Sequence, residues 1–125
     1  MKQLFLIVIS VIIIGCKSNN EISFCEGLTP EGNGITCGTI FSVGYLAVQI
    51  TTKEPFGVDR LIFEVFEQNK NRLNKVSSIT IKVKENSQST STRIHLYNEG
   101  KFIVKVLGNE NKIIAEGEVE IIETY

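Results

Sequence analysis

One histidine and one aspartate are the residues that could build nucleophilic or acid–base chemistry in this chain of 125 residues. A catalytic His95 would need Asp59 or a glutamate to orient it. His95 lies between Ile94 and Leu96 in a segment that reads as a β-strand, where a solvent-facing or hydrogen-bonded histidine is the common case. We therefore expect no catalytic residue and no enzymatic activity.

Three glutamates at alternate positions, Glu116, Glu118 and Glu120, raise the question of a calcium site. Alternate side chains of a strand stand about 7 Å apart and point in parallel, whereas calcium needs oxygens that converge. Lys101 is expected opposite Glu118, which favours a solvated, ion-paired face. The glycines between positions 27 and 44 include no G-K-S/T phosphate loop. We expect neither a metal nor a cofactor.

Cys16 stands where an apolar run ends and a polar stretch begins. Lys2 precedes a run from Leu4 to Ile14 that only Ser10 interrupts, and the polar residues 17–20 follow Cys16. The run is shorter than the roughly 20 residues of a membrane-spanning helix. A positive residue before a short apolar run is typical of an export signal. The alternative is an uncleaved signal anchor that carries a cysteine by chance.

The four residues Ile13-Ile14-Gly15-Cys16 resemble the lipobox of bacterial lipoproteins. The resemblance implies that the chain is cut after residue 15 and that the Cys16 thiol carries lipid as a thioether. Several acyl chains give stable membrane binding where one gives only marginal binding. Lys17 replaces the aspartate that retains enteric lipoproteins in the inner membrane, which points to the outer membrane. Its periplasmic or external side stays open.

The expected organisation is a signal peptide over 1–15, a lipidated Cys16 with a tether over 16–20, and one domain over 21–125. Cleavage leaves 125 minus 15, or 110 residues, enough for one core. Removing Lys2 from the 13 basic residues leaves 12 against 14 acidic ones, a balance of −2. Nothing in this balance or in the spacing of the basic residues indicates nucleic-acid binding.

Once Cys16 is assigned to lipid, Cys25 and Cys37 remain as a pair in an exported, oxidising setting. We expect them to form a disulfide that pins a glycine-rich loop within residues 21–41. A crosslink over so short a loop contributes on the order of 3 kcal/mol to stability in the chain-entropy model. The alternative, a redox or metal pair, lacks both a C-x-x-C motif and additional histidines.

Hydrophobic residues alternate with polar ones from residue 39 onward, which is typical of half-buried antiparallel strands. In SSITIKV, for example, Ile79, Ile81 and Val83 share one face. The segment 58–66 also fits helical spacing, but its Ile, Phe and Val content favours a strand. The predicted strands are 43–52, 59–67, 76–85, 92–97, 101–107 and 112–122.

The last two predicted strands form a hairpin in which Val106 faces Ile113 and Phe102 faces Gly117, with a two-residue loop at Asn109-Glu110. These last 30 or so residues resemble the final strands of bacterial immunoglobulin-like or fibronectin-type domains. The resemblance implies an all-β, antiparallel β-sandwich of about seven strands. The immunoglobulin Cys and Trp pattern and the corner tyrosine are absent.

In the immunoglobulin-like order, the strands 59–67, 101–107 and 112–122 share a sheet. Ile62, Phe66, Ile103 and Ile114 would then form an apolar patch on its outer surface. Alternatively, the loop over 21–41 covers this face. We expect a membrane-anchored, non-enzymatic binding or accessory module of the cell envelope with a protein partner. The other interpretation is a structural or assembly component of an envelope complex.

Overall fold

A computed structural model describes residues 20–42 and 44–122, and these residues form nine β-strands and one short 3-10 turn. The strands are β1 (Glu21–Leu28), β2 (Gly34–Gly38), β3 (Ile40–Ser42), β4 (Gly44–Thr51), β5 (Arg60–Asn69), β6 (Arg72–Lys82), β7 (Ser89–Leu96), β8 (Gly100–Leu107) and β9 (Ile113–Ile122). The predicted signal peptide, Cys16 and tether residues 17–19 lie outside the described residues. Within the described ranges, no helix has the length and apolar character needed to cross a membrane.

The strands build a sandwich of two sheets. One sheet has the order β2-β1-β4-β7, and the other has the order β3-β9-β8-β5-β6. Neighbouring strands are antiparallel except for β3 and β9, which are parallel. The series β1-β4-β7 and β9-β8-β5-β6 correspond to the A-B-E and G-F-C-C′ series of immunoglobulin-type sandwiches. The predicted all-β sandwich is confirmed, with nine strands in the described chain rather than about seven.

The N-terminal segment differs from the predicted loop over 21–41, because it forms three strands. Strand β1 pairs with both β2 and β4, and β3 adds to the edge of the five-stranded sheet beside β9. Alternate residues of β1 face the core, and Phe24 is 4% exposed. The segment therefore extends both sheets at their edges instead of covering the outer surface of the five-stranded sheet.

The predicted disulfide between Cys25 and Cys37 is confirmed, with an S–S bond of 2.04 Å. The two cysteines are directly opposite each other on β1 and β2. Thr36 has a φ of 54°, which bends β2 so that Gly34 lies against both sulfur atoms. The side chain of Gln49 donates a hydrogen bond to the Gly32 carbonyl at 2.7 Å and fastens the hairpin to β4.

The core lies between the sheets and is built by the alternating residues that the sequence indicates. Phe63 at the centre of β5 is fully buried, which confirms this segment as a strand rather than a helix. Burying one such side chain stabilises the fold by about 1.5–3 kcal/mol. The other core residues are Phe24, Phe41, Leu46, Val48, Ile50, Leu61, Val65, Ile94, Leu96, Phe102, Val104, Val106, Ala115, Val119 and Ile121.

The register of the β8–β9 hairpin corrects the prediction by two residues. Val106 pairs with Ala115, and Phe102 pairs with Val119 rather than with Gly117. A bulge after Val106 and the 3-10 turn at 109–111 lengthen the connection beyond the predicted two residues. Because the shift is even, the predicted inward positions of β8 stay inward.

Gly117 is covered from the opposite sheet instead of by Phe102. A Cβ atom at this position would lie 2.6 Å from Ile22 Cγ2 and 3.0 Å from Phe24 Cε2. The absent side chain therefore leaves room for two residues of β1, and the two sheets approach each other closely here.

The connections between the strands lie at two opposite ends of the sandwich. The tether end consists of Asn20 and the connections 52–59, 83–88 and 108–112. The distal end consists of the connections 29–33, 70–71 and 97–99. Backbone hydrogen bonds join the first two tether-end connections, for example Thr52 N to Gln88 O at 2.7 Å and Phe56 N to Ser87 O at 2.8 Å.

Candidate binding cleft

The histidine lies in an exposed row of aromatic rings near the distal end. His95 on β7 is directly opposite Tyr45 on β4, and their rings stack with centroids 4.1 Å apart and planes 20° apart. Tyr97 follows two residues later, with its ring centroid also 4.1 Å from that of His95. Tyr45 is 65% exposed and Tyr97 is 72% exposed. We call Tyr45, His95 and Tyr97 the aromatic row.

The strands hold this row in place through the buried residues that alternate with it. Ile94 and Leu96 flank His95 in the sequence and point into the core, with 2% and 3% exposure. Leu46, next to Tyr45, is also buried at 2% exposure. Because successive side chains of a strand point to opposite faces, burial of these neighbours directs Tyr45 and His95 outward.

A cleft of about 350 Å³ opens beside the aromatic row, between the β5–β6 hairpin and β7. Its apolar lining includes Val65, Ile79 and Phe102 from the five-stranded sheet, together with Ile94 and Leu96. The volume falls in the range of small ligand sites, which combine an apolar interior with a few polar groups.

Polar groups stand around the apolar floor of the cleft. Glu67 comes from β5, Ser77 from β6, Arg93 from β7 and Asn98 from the connection after β7. The lining therefore carries one negative and one positive side chain, as well as hydroxyl and amide groups. Such an arrangement orients a bound group by hydrogen bonds while the apolar surfaces supply the main contact area.

The structure separates the residues considered for catalysis. Asp59 lies at the tether end, where it forms an ion pair of 3.5 Å with Arg60. His95 lies in the distal half, opposite Tyr45. A histidine and an aspartate at opposite ends of the sandwich cannot act as one acid–base unit, because such catalysis requires hydrogen-bond contact.

Two of the three glutamates of β9 lie opposite lysines of the neighbouring strand β8. Glu116 pairs with Lys105, and Glu120 pairs with Lys101, which corrects the predicted pairing of Lys101 with Glu118. Glu118 pairs with Ile103. Over residues 20–42 and 44–122, no three histidine, cysteine, aspartate or glutamate residues are grouped in a way that could hold a metal ion.

The predicted partner surface is brought together only in part. Phe66 and Ile103 are cross-strand partners, both half-buried. Ile62 is half-buried on the same strand as Phe66 but is separated from it by Glu64, whose partner on β8 is Lys105. Charged side chains therefore divide this part of the surface.

Ile114 joins the patch only in part. It lines the same surface depression as Ile103, and it also packs against the core, because the bulge after Val106 changes its position relative to β8. A Cβ atom on Gly108 would lie 3.1 Å from Ile114 Cγ2 and 3.9 Å from Leu61 Cδ2, which places Ile114 beside a core residue. The role of Ile62, Phe66, Ile103 and Ile114 in partner binding stays a prediction.

Tyr45 and Tyr97 are the site residues that the sequence analysis missed. The sequence contained a signal for Tyr97. It lies two residues after His95, and residues two apart on a strand share a face. Tyr45 gave none, because its pairing with His95 depends on the register between strands that are distant in the sequence.

Comparison with protein-family models finds no match, and comparison with curated proteins finds none either. Among solved structures, the chain is similar to the crystal structure of the PmoD soluble domain from Methylocystis sp. strain Rockwell. The TM-score is 0.55 at 12% sequence identity, covering 82% of this chain and 90% of the other. At this identity, the similarity supports the sandwich fold and does not extend to the site.

Proposed function

We propose that this protein is a non-enzymatic binding module of the bacterial cell envelope, anchored by lipid on Cys16 and bound to a protein partner through the cleft. The observation that carries the proposal is the combination of an apolar cleft with an exposed aromatic row. Tyrosine is enriched at the centres of protein interfaces, where one ring supplies a large contact area and a polar end.

The cleft suits a single apolar or aromatic side chain inserted by the partner. Its floor is formed by the edges of packed core residues and is therefore rigid, which limits the entropy lost on binding. Glu67 and Arg93 can pair with polar groups that flank the inserted side chain. The tyrosine rings would then pack against the partner beside the inserted side chain, as tyrosines at interface hot spots do.

The anchor part of the proposal is supported by the sequence Ile13-Ile14-Gly15-Cys16 and by the apolar run before it. The polar residues between Cys16 and β1 suit a short tether. The outer membrane is the proposed location, on the basis of Lys17. The similar PmoD structure is described as a soluble domain, in keeping with a module that folds outside the lipid.

The alternative proposal, an assembly component of an envelope complex, is favoured by the edge strand β2. All five of its residues are exposed, including Ile35 at 45%. An exposed edge strand offers backbone hydrogen-bonding groups to a strand of another chain. A partner recognised in this way would contact β2 rather than the cleft.

Site-specific photocrosslinking in intact membranes tests these alternatives. A benzophenone amino acid is placed at Tyr97 in the cleft, at Ile35 on β2, or at Lys53 as a control at the tether end. A discrete adduct that forms only from position 97 supports the cleft, and one that forms only from position 35 supports assembly through the edge. Adducts from all three positions, or from none, contradict the proposed site.

Substitution gives a quantitative test with the partner identified by the crosslink. Tyr97→Ala should weaken binding about 30-fold, the effect of losing a hot-spot side chain of about 2 kcal/mol. Ile40→Ala is the matched control, because Ile40 is 57% exposed and lies on β3, away from the cleft. Equal affinity of the Tyr97→Ala variant and the control would show that the partner binds elsewhere.

A further inference from the structure

We propose that the tether end of the sandwich faces the lipid bilayer and that the cleft faces away from it. This inference rests on the proposed attachment of lipid at Cys16. It assigns an interaction surface, formed by Asn20 and the connections 52–59, 83–88 and 108–112, to the membrane headgroups.

Asn20 fixes the place where the tether leaves the domain. Its side-chain Nδ2 donates a hydrogen bond to the Ile114 carbonyl at 2.7 Å, and its Oδ1 accepts one from the Lys53 backbone N–H at 3.0 Å. These bonds connect Asn20 to β9 and to the connection after β4, which lie on opposite sheets. The chain therefore emerges at the tether end and is fastened there to both layers.

The tether is too short for the domain to turn over. Cys16 and Asn20 are four residues apart, and each residue spans at most about 3.5 Å, so the lipid attachment lies within about 15 Å of Asn20. Tyr45 lies six residues along β4 from Thr51 at the tether end, which corresponds to about 20 Å. An aromatic row at that distance is directed away from a bilayer that holds Cys16.

The charges of the tether end are balanced, so the tether rather than electrostatic attraction sets this orientation. The three exposed lysines, Lys53, Lys84 and Lys112, are matched in number by three exposed glutamates, Glu54, Glu85 and Glu110. Asp59 is paired with Arg60. The orientation should therefore be insensitive to salt and to the content of anionic lipid, unlike that of a domain held by a basic patch.

Fluorescence quenching tests the orientation cleanly, because the chain contains no tryptophan. Lys112→Trp places a probe in the exposed turn at the tether end, and Glu99→Trp places one in the exposed connection at the distal end. The lipid-modified protein purified from membranes is reconstituted in phosphatidylcholine vesicles that carry a nitroxide on the headgroup. Quenching at position 112 should exceed that at position 99 roughly threefold or more, since the two ends lie at least about 20 Å apart along the strands.

A long tether is the control for the role of chain length. Twenty Gly/Ser residues inserted between Cys16 and Asn20 span about 25 Å on average and should abolish the difference between the two probes. Equal quenching with the natural tether, stronger quenching at position 99, or no quenching at either position would overturn the inference. The same measurement with 20% anionic phospholipid should give the same ratio, whereas a reversed ratio would assign the orientation to charge.

A second preparation separates this inference from the proposed lipid attachment. The chain from residue 16 onward is coupled through the Cys16 thiol to a maleimide phospholipid, while Cys25 and Cys37 stay protected by their disulfide. The intact mass of the protein from membranes tests the natural lipid attachment. The quenching ratio of the chemically coupled protein tests the orientation even where that mass shows no acyl chain.

Discussion

Gly34 shows how one missing side chain allows the N-terminal hairpin to close. Cys25 has no exposed surface, although its partner Cys37 is on an exposed edge strand. The Gly34 backbone lies against both sulfur atoms, next to the bend at Thr36. Any side chain at position 34 must therefore displace the disulfide or straighten the bend.

Gly34→Ala should lower the stability of the domain by roughly 1–3 kcal/mol, the usual cost of overpacking a tight site. The new Cβ would lie 2.4 Å from Cys37 Sγ and 2.5 Å from Cys25 Sγ. Urea denaturation measures the change. Gly38→Ala is the matched control on the same strand, because a Cβ there meets no atom within 4 Å. Two variants of equal stability would contradict this account of the bend.

At the residue scale, the sequence predicts the face of the sheet on which a side chain lies better than it predicts the residues that the side chain contacts. Phe102 was correctly expected to face inward, yet it pairs with Val119. Gly117 instead receives Ile22 and Phe24 of β1. Direction follows from the two-residue period of a strand, whereas contacts depend on register and on the approach of the second sheet.

At the element scale, the β8–β9 connection explains the error in register. Glu110 and Asn111 have φ angles of 55° and 60°, so two successive residues that are not glycine adopt the left-handed conformation. The turn is closed by a hydrogen bond from Gly108 N to Lys112 O at 2.8 Å. Because neither of these two residues is glycine, the sequence contains no signal for the position of the tightest bend.

Glu110→Gly should stabilise the domain by about 0.5–1 kcal/mol, because glycine adopts a positive φ without the steric cost that other residues bear. For a domain of about 100 residues, this corresponds to a rise in melting temperature of a few degrees. Calorimetry measures the shift. Asn109→Gly should destabilise the same turn, since Asn109 lacks a positive φ and glycine there only adds freedom to the unfolded chain. A lower melting temperature for Glu110→Gly would contradict the expected benefit.

The six strands predicted after residue 42 were found because their apolar residues alternate clearly. Of the three strands before it, β1 was missed although its alternate residues face the core, whereas β2 and β3 were missed for a physical reason. Strand β2 has no buried residue at all, and β3 has only three residues. Their pairing with β1 and β9 depends on backbone hydrogen bonds and on the disulfide, and neither leaves a hydrophobic period in the sequence.

At the scale of the whole molecule, the sandwich class was predictable because alternation and turn residues recur along most of the chain. The cleft was not predictable, since its walls come from β5, β6 and β7, and its position depends on how the sheet edges meet. The disulfide was predictable from the number of cysteines and the expected oxidising compartment. Its position between two paired strands was not predictable, because the segment was expected to be a loop.

The proposed lipid anchor gives a prediction at the scale of the whole molecule. Cys16→Ser should abolish both lipid attachment and cleavage after residue 15, because serine has no thiol to accept the lipid. Detergent phase partition and intact mass measure the result, and wild-type protein should enter the detergent phase.

The matched control for Cys16→Ser is the double variant Cys25→Ser/Cys37→Ser, which removes the other two cysteines. This variant should still carry lipid and should lose on the order of 3 kcal/mol of stability. Acylation of the Cys16→Ser protein, or a wild-type mass without acyl chains, would contradict the proposed anchor.

The position of β1 bears on how the module would withstand mechanical load. This strand starts at the tether end and pairs with β4 over Glu21–Cys25, with hydrogen bonds perpendicular to the strand axis. A pull between a lipid-held Asn20 and a partner in the cleft runs along that axis. The hydrogen bonds between β1 and β4 are then loaded together in shear, whereas a tether at the other end of β1 would peel them apart one at a time.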